Sequence, residues 1–96
     1  MGDRGLIPED EARQAVGGTD WEVRDGRLVL TVKKADFAEA MTFVNRVAEL
    51  AEARNHHPDI AVSWNTVTLT QWSHSAGGIT QADVDLAKEI AGVLDA

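Results

Sequence analysis

Two hydrophobic periods alternate along this chain, and the switches between them mark out three helices and four strands. Leu6 and Ile7 precede Pro8, which is followed by Glu9, Asp10 and Glu11. Proline suits the first helical position because its missing N–H would be unpaired there anyway. The acids suit the positive end of the helix dipole. Ala12, Ala15 and Val16 add a short apolar stripe that Gly17-Gly18 ends, which predicts a brief helix. Period two then runs from Thr19 to Lys33 and reads as a β-hairpin, because Asp25-Gly26 is a two-residue turn whose positions both tolerate positive φ. Counting outward from that turn sets Val23 opposite Leu28 and Trp21 opposite Leu30, with Val32 extending the core row. Glu22, Val29 and Thr31 take the other face.

From Asp36 to Arg54 the period becomes helical, with Phe37, Ala40, Met41, Val44, Val47, Ala48 and Ala51 as the apolar stripe. Asp36 with Glu39 resembles a capping box in which Asp replaces Ser or Thr. Pro58 disfavours helical geometry at His57, so this helix is expected to end near His56. Ile60, Val62 and Trp64 then alternate with Ala61 and Ser63, and Asn65-Thr66 is the expected turn. On that count Val67 and Leu69 return on the core side opposite Trp64 and Val62, so Trp64 reads as core. Thr68, Thr70, Trp72 and His74 share the opposite face. Gly77-Gly78 is a flexible corner, and Thr80-Gln81-Ala82-Asp83 fits a capping box opening the last helix. That helix carries Val84, Leu86, Ala87, Ile90, Ala91, Val93 and Leu94 around more than half its girth. The order α-β-β-α-β-β-α predicts an α+β fold class: a four-stranded, antiparallel-rich sheet packed against helices, one domain over residues 1–96.

Composition narrows the function. A chain of 96 residues, 44% hydrophobic, buries a thin core, and subunits of this size often gain burial by self-association. A net charge of −7 repels phosphate backbones and argues against nucleic-acid binding. No apolar run approaches the length of a membrane span, and the polar stretch Met1 to Asp10 has no apolar h-region, so neither membrane insertion nor secretion is expected. Zero cysteines excludes disulfides, thiolate catalysis and sulfur-ligated zinc, and fits a cytoplasmic location.

The chemistry concentrates at Asn55-His56-His57-Pro58, where the long helical run stops. The chain has three histidines, and the third is His74. Imidazole is the side chain that both donates and accepts protons near neutral pH. The plain alternative is a solvated helix end whose histidines merely complement the last carbonyls. Glu52 precedes His56 by four residues, so on a helix it is placed to hydrogen-bond that ring. Three imidazoles can also hold zinc with an open position, but adjacent histidines rarely aim both rings at one point and no ligand-spaced fourth group is visible. No metal and no other cofactor is expected.

The series Glu52-Ala53-Arg54-Asn55-His56-His57-Pro58, then Trp64-Asn65, Val67, His74, Gly78 and Asp83-Val84-Asp85-Leu86-Ala87, resembles the pterin-4a-carbinolamine dehydratase signature in order and spacing. Trp21 before Asp25-Gly26 is similar to that family's first hairpin. Asp36-Phe37, Ala40, Phe43-Val44 and Arg46-Val47-Ala48 are similar to its central helix, so the likeness spans roughly residues 6 to 94. Four positions depart from the pattern. Ile7 stands where a Ser or Thr cap is common, Lys34 replaces an aromatic, Gln71 replaces an apolar strand residue, and Trp72 sits where a small residue is common.

The resemblance implies dehydration of a 4a-hydroxytetrahydropterin to the quinonoid dihydropterin, with the hydroxyl leaving as water while N5 loses a proton. It also implies that His56, His57 and His74 line the pterin pocket; among these three we assign the proton transfers to His57 and His74, and binding and orienting to His56. Glu52, Asn55, Pro58 and Trp72 are the expected substrate-binding neighbours. Asp83 matches a characteristic acid of the family, and a helix cap explains it adequately. A homodimer or homotetramer is the implied assembly. The alternative function is a non-catalytic dimerisation or assembly module on the same fold, which has no need of three histidines.

Overall fold

Asp25 and Gly26 both take positive φ, 50° and 75°, and the chain reverses there into its first hairpin, as the Asp-Gly pair predicts. The computed structural model describes residues 5–95, so residues 1–4 of the polar N-terminus lie outside the described part. The elements are α1 (Glu9–Ala15), β1 (Glu22–Arg24), β2 (Arg27–Lys33), α2 (Phe37–Arg54), β3 (Asp59–Ser63), β4 (Thr66–Gln71) and α3 (Gln81–Asp95). This is the expected α+β order. The four strands form one antiparallel sheet, β1-β2-β4-β3, with β2 and β4 paired at its centre from Leu28↔Gln71 to Lys33↔Thr66. β3 is an edge strand.

One sheet face is core. Leu28, Leu30, Val67, Leu69 and Gln71 are all buried on it, while Thr31 on the other face is exposed. Ala40, Phe43, Val47 and Ala51 of α2 close over this face together with Val84, Leu86, Ala87 and Ile90 of α3. Each fully buried leucine here stabilises the fold by about 2 kcal/mol. Asp36 caps α2 as expected, accepting at Oδ1 from the Glu39 N–H at 2.8 Å.

The apolar stripe of α2 is rotated from the expected one. Phe37, Met41 and Ala48 lie on one flank of the helix and Phe43 and Leu50 on the other, and the core takes the second flank. Phe37 is 52% exposed and Phe43 only 4%. Both flanks satisfy the helical period, so packing decides between them.

The second hairpin departs further. Its turn is Trp64-Asn65, one position earlier than expected, and β3 pairs Val62↔Val67 and Ile60↔Leu69. Relative to the expected register this is a slip of two, which keeps every residue on its face. Trp64 is therefore a turn residue at φ 50°, 65% exposed, and not core. Asn65 causes the shift. Its buried side chain donates through Nδ2 to the Lys34 carbonyl at 2.9 Å, and its carbonyl accepts from the Lys34 N–H at 2.8 Å, pinning the turn to the end of β2.

Two smaller corrections, and one contact the pattern does not predict, follow from local geometry. Pro8 is the N-cap of α1, with ψ at 148°, and not its first helical residue. Gln71 is fully buried: its Nε2 donates to the Asp83 carbonyl at 2.7 Å, while Oε1 has no partner among the described residues. The broad apolar girth of α3 is covered within the chain itself. Val84, Leu86, Ala87 and Ile90 are each 0% exposed, while Val93 and Leu94 near its end are half-buried.

Candidate functional site

The end of α2 sets the site. Arg54 is the last helical residue, and Asn55 follows in the left-handed region at φ 50° and ψ 43°. Its N–H reaches the Glu52 carbonyl at 3.1 Å and the His56 N–H reaches the Ala51 carbonyl at 3.0 Å. That pair of bonds is a Schellman motif, with Asn in the position usually held by glycine. Asn55 thus has a backbone role that the expected substrate-contact role did not include. Beyond it the chain leaves the helical path, so side-chain spacing read along the helix no longer applies at His56.

The consequence is an exchange of partners. Glu52 bonds His57, Oε2 to Nε2 at 2.6 Å, and not His56 as the i,i+4 count predicts. His56 turns inward and bonds Asp83, Nε2 to Oδ1 at 2.5 Å, with the carboxylate fully buried. Asp83 does more than cap α3. Its Oδ2 accepts from the Thr80 N–H at 2.8 Å, which closes half of the capping box, and from the Ser73 hydroxyl at 2.9 Å. Since a carboxylate accepts, Nε2 carries the proton of this contact, and among the described residues Nδ1 has no hydrogen-bond partner.

His74 arrives from the other side. β4 ends at Gln71, and a short loop follows that is closed by the Ser73 N–H donating to the Gly78 carbonyl at 2.8 Å. A Cβ at Gly78 would stand 3.0 Å from Leu6 Cδ2, so a larger residue there would push the end of the Leu6 side chain aside. The loop holds His74 at the surface, stacked on Trp72 with ring centroids 4.2 Å apart.

These segments enclose one open cleft of about 630 Å³, lined by Asn55, His56, His57, Pro58, Asp59, Trp72, Ser73, His74, Ser75 and Ala82. All three histidines face it, together with the expected neighbours Asn55, Pro58 and Trp72. Glu52 does not line it and reaches it only through His57. Asp83 acts from beneath the cleft through His56, a role the sequence reading missed because its capping role already accounted for it. Among the described residues, no group of three or more His, Asp or Glu side chains is arranged to hold a metal ion. A second cavity, of about 440 Å³ beside Lys34, Phe43 and Arg46, contains no histidine.

Comparison with known proteins points to one family. Residues 6–93 match the family model of pterin 4 alpha carbinolamine dehydratase. A Mycobacterium avium protein, provisionally named pterin-4-alpha-carbinolamine dehydratase, is 49% identical over 90 residues, which is 93% of this chain and 96% of that one. The crystal structure of a transcriptional coactivator/pterin dehydratase from Brucella melitensis superposes with a TM-score of 0.83 at 28% identity, covering 91% of this chain and 96% of that one. A pterin dehydratase-like protein identified as a RuBisCO assembly factor in the alpha-carboxysome has a TM-score of 0.62 at 18% identity, covering 82% and 92%, and shares the fold.

Proposed function

The chain belongs to the pterin-4a-carbinolamine dehydratase family, and from that premise we propose that it dehydrates a 4a-hydroxytetrahydropterin to the quinonoid dihydropterin. One observation carries the proposal: the chain's three imidazoles converge on a single open cleft. The reaction removes one molecule of water. The 4a-hydroxyl takes a proton as its C–O bond breaks, and N5 gives one up. A donor and an acceptor must therefore face the same ligand, and positioned imidazoles typically contribute about 10²–10⁴-fold by such transfers.

His57 and His74 are the proton-transferring pair in this reading, because both are exposed at the cleft and neither ring is locked into the core. His56 binds and orients. Its Nε2 is committed to buried Asp83, which leaves Nδ1 to meet the ligand in a fixed direction. Asn55, Pro58 and Trp72 shape the rim. A non-catalytic assembly role would leave the histidines without a purpose. No helix among the described residues is long and apolar enough to cross a membrane, and the absence of cysteine suits a cytoplasmic site of action.

The test is an assay with freshly generated 4a-carbinolamine, followed by the appearance of the quinonoid product. Catalysed dehydration that is abolished in a folded His56→Ala, His57→Ala, His74→Ala triple variant is the expected result. A wild-type rate equal to the spontaneous one would overturn the reading.

A further inference from the structure

The three histidines are held in different ways. His56 and His57 are each fixed by a carboxylate. Among the described residues His74 makes no side-chain hydrogen bond, and it is exposed on a loop beyond the end of β4. Its defining contact is the Trp72 ring, at 4.2 Å between centroids and 27° between planes. An exposed imidazole without a hydrogen-bond partner samples several rotamers, whereas a face-to-face aromatic contact restricts both its plane and its position.

Trp72 is itself held. The ladder Leu28↔Gln71, continued by one step, sets Arg27 directly across from Trp72. The Arg27 guanidinium carbon lies 4.2 Å from the centroid of the indole. A cation over the face of an indole is attracted by the ring quadrupole, most strongly for tryptophan. Arg27 sits at the start of β2, beside the tight Asp25-Gly26 turn, so its backbone is anchored by the hairpin. The rigid sheet therefore reaches His74 through two stacked contacts, Arg27 to Trp72 and Trp72 to His74.

We propose that Trp72, braced by Arg27, is the positioning residue for His74, setting the plane in which this imidazole meets the ligand of the cleft. The inference rests on the dehydratase reading for its kinetic consequences but not for the contact itself. A small residue at position 72 would offer His74 no face. In this chain the indole takes over the orienting work that carboxylates perform for the other two histidines.

Ring currents and kinetics together test it. In the full-length protein, the His74 ring C–H resonances, assigned by their loss in His74→Ala, are shielded by the indole. Trp72→Leu, which keeps apolar bulk without an aromatic face, is expected to move them downfield, and Trp72→Phe to keep most of the shielding. Trp72→Leu should lower kcat by about 3- to 10-fold, the coupling an aromatic pair supplies. Trp72→Phe should stay within about twofold of the wild type, and Arg27→Gln should fall between the two. In a His74→Ala background the same Trp72→Leu change should lower kcat by less than it does in the wild type, because the part of its effect that passes through His74 has no ring to act on. Unmoved His74 resonances in Trp72→Leu would overturn the proposal, and so would an equal kinetic loss in both backgrounds. An inactive wild-type chain would remove the dehydratase reading alone, since the resonances decide the stack without any turnover.

Discussion

His56 Nε2 and Asp83 Oδ1 lie 2.5 Å apart across 27 residues of sequence, with the imidazole 21% exposed and the carboxylate not exposed at all. This contact ties the end of α2 to the start of α3 at the floor of the cleft. A buried carboxylate is expensive unless its lone pairs are used. Here the Thr80 N–H, the Ser73 hydroxyl and the His56 ring all donate to it. One side chain thus starts a helix, closes the His74 loop and orients a histidine.

Asp83→Asn is expected to affect folding and turnover together. The amide keeps the shape but loses charge and one acceptor, so stability should fall by about 1.5–3 kcal/mol, the worth of a hydrogen bond to a charged group. Turnover should fall by on the order of 10- to 100-fold, as for a misplaced catalytic group. Urea denaturation and kcat measured on the same preparation check both. A variant that loses stability but keeps full turnover would limit Asp83 to capping.

Much of this arrangement is legible locally and some is not. Asp25-Gly26 announces its own turn, because positive φ is a property of those two residues, and the Asp36 cap lies three residues from the N–H it serves. The Asn65 turn is different. Its anchor is the Lys34 backbone, 31 residues away, and no local preference reports that. The Glu52 partner differs from the i,i+4 expectation for a related reason. Counting i,i+4 assumes a helix through His56, but Asn55 turns the chain into the left-handed region and offers Glu52 the ring of His57. Asp83 conceals its second role because Thr80-x-x-Asp is already a complete local explanation.

His74→Ala should reduce kcat by on the order of 10²-fold, the lower part of the general acid–base range. Its exposed position means that truncation leaves no cavity, so the urea midpoint should stay close to the wild-type value. Unchanged turnover in the folded variant would remove His74 from the chemistry.

Glu52→Gln should be milder. The Glu52 and His57 side chains are 77% and 54% exposed, and exposed ion pairs contribute little, so kcat should fall by less than about fivefold. A loss as large as that of His74→Ala would place Glu52 among the groups that touch the ligand.

Metal removal is expected to leave turnover intact. Adjacent histidines at the end of α2 point to different carboxylates, which draws their rings apart and leaves no shared metal centre among the described residues. The protein is treated with a chelator, its metal content is measured by elemental analysis, and the assay is repeated. A large loss restored only by zinc would require a different mechanism.

Self-association is expected to use the sheet edge and not α3. From the sequence, the broad apolar girth of α3 is a reason to expect a dimer or tetramer, but Val84, Leu86, Ala87 and Ile90 are buried within one chain and supply no such drive. β3 supplies one instead. It pairs with β4 on one side only, and its exposed residues include Ile60 at 38%, with Trp64 at 65% in the adjoining turn. An edge strand presents a row of unpaired backbone groups, and apolar side chains beside it make pairing with a second copy favourable. Ile60→Lys places a charge on that edge, a device by which proteins block such pairing. Sedimentation equilibrium should give at least twice the chain mass for the wild type, with Ile60→Lys shifted toward the monomer. A wild-type monomer at high micromolar concentration would sink the prediction, and an Ile60→Lys variant that stays fully associated would move the interface away from β3.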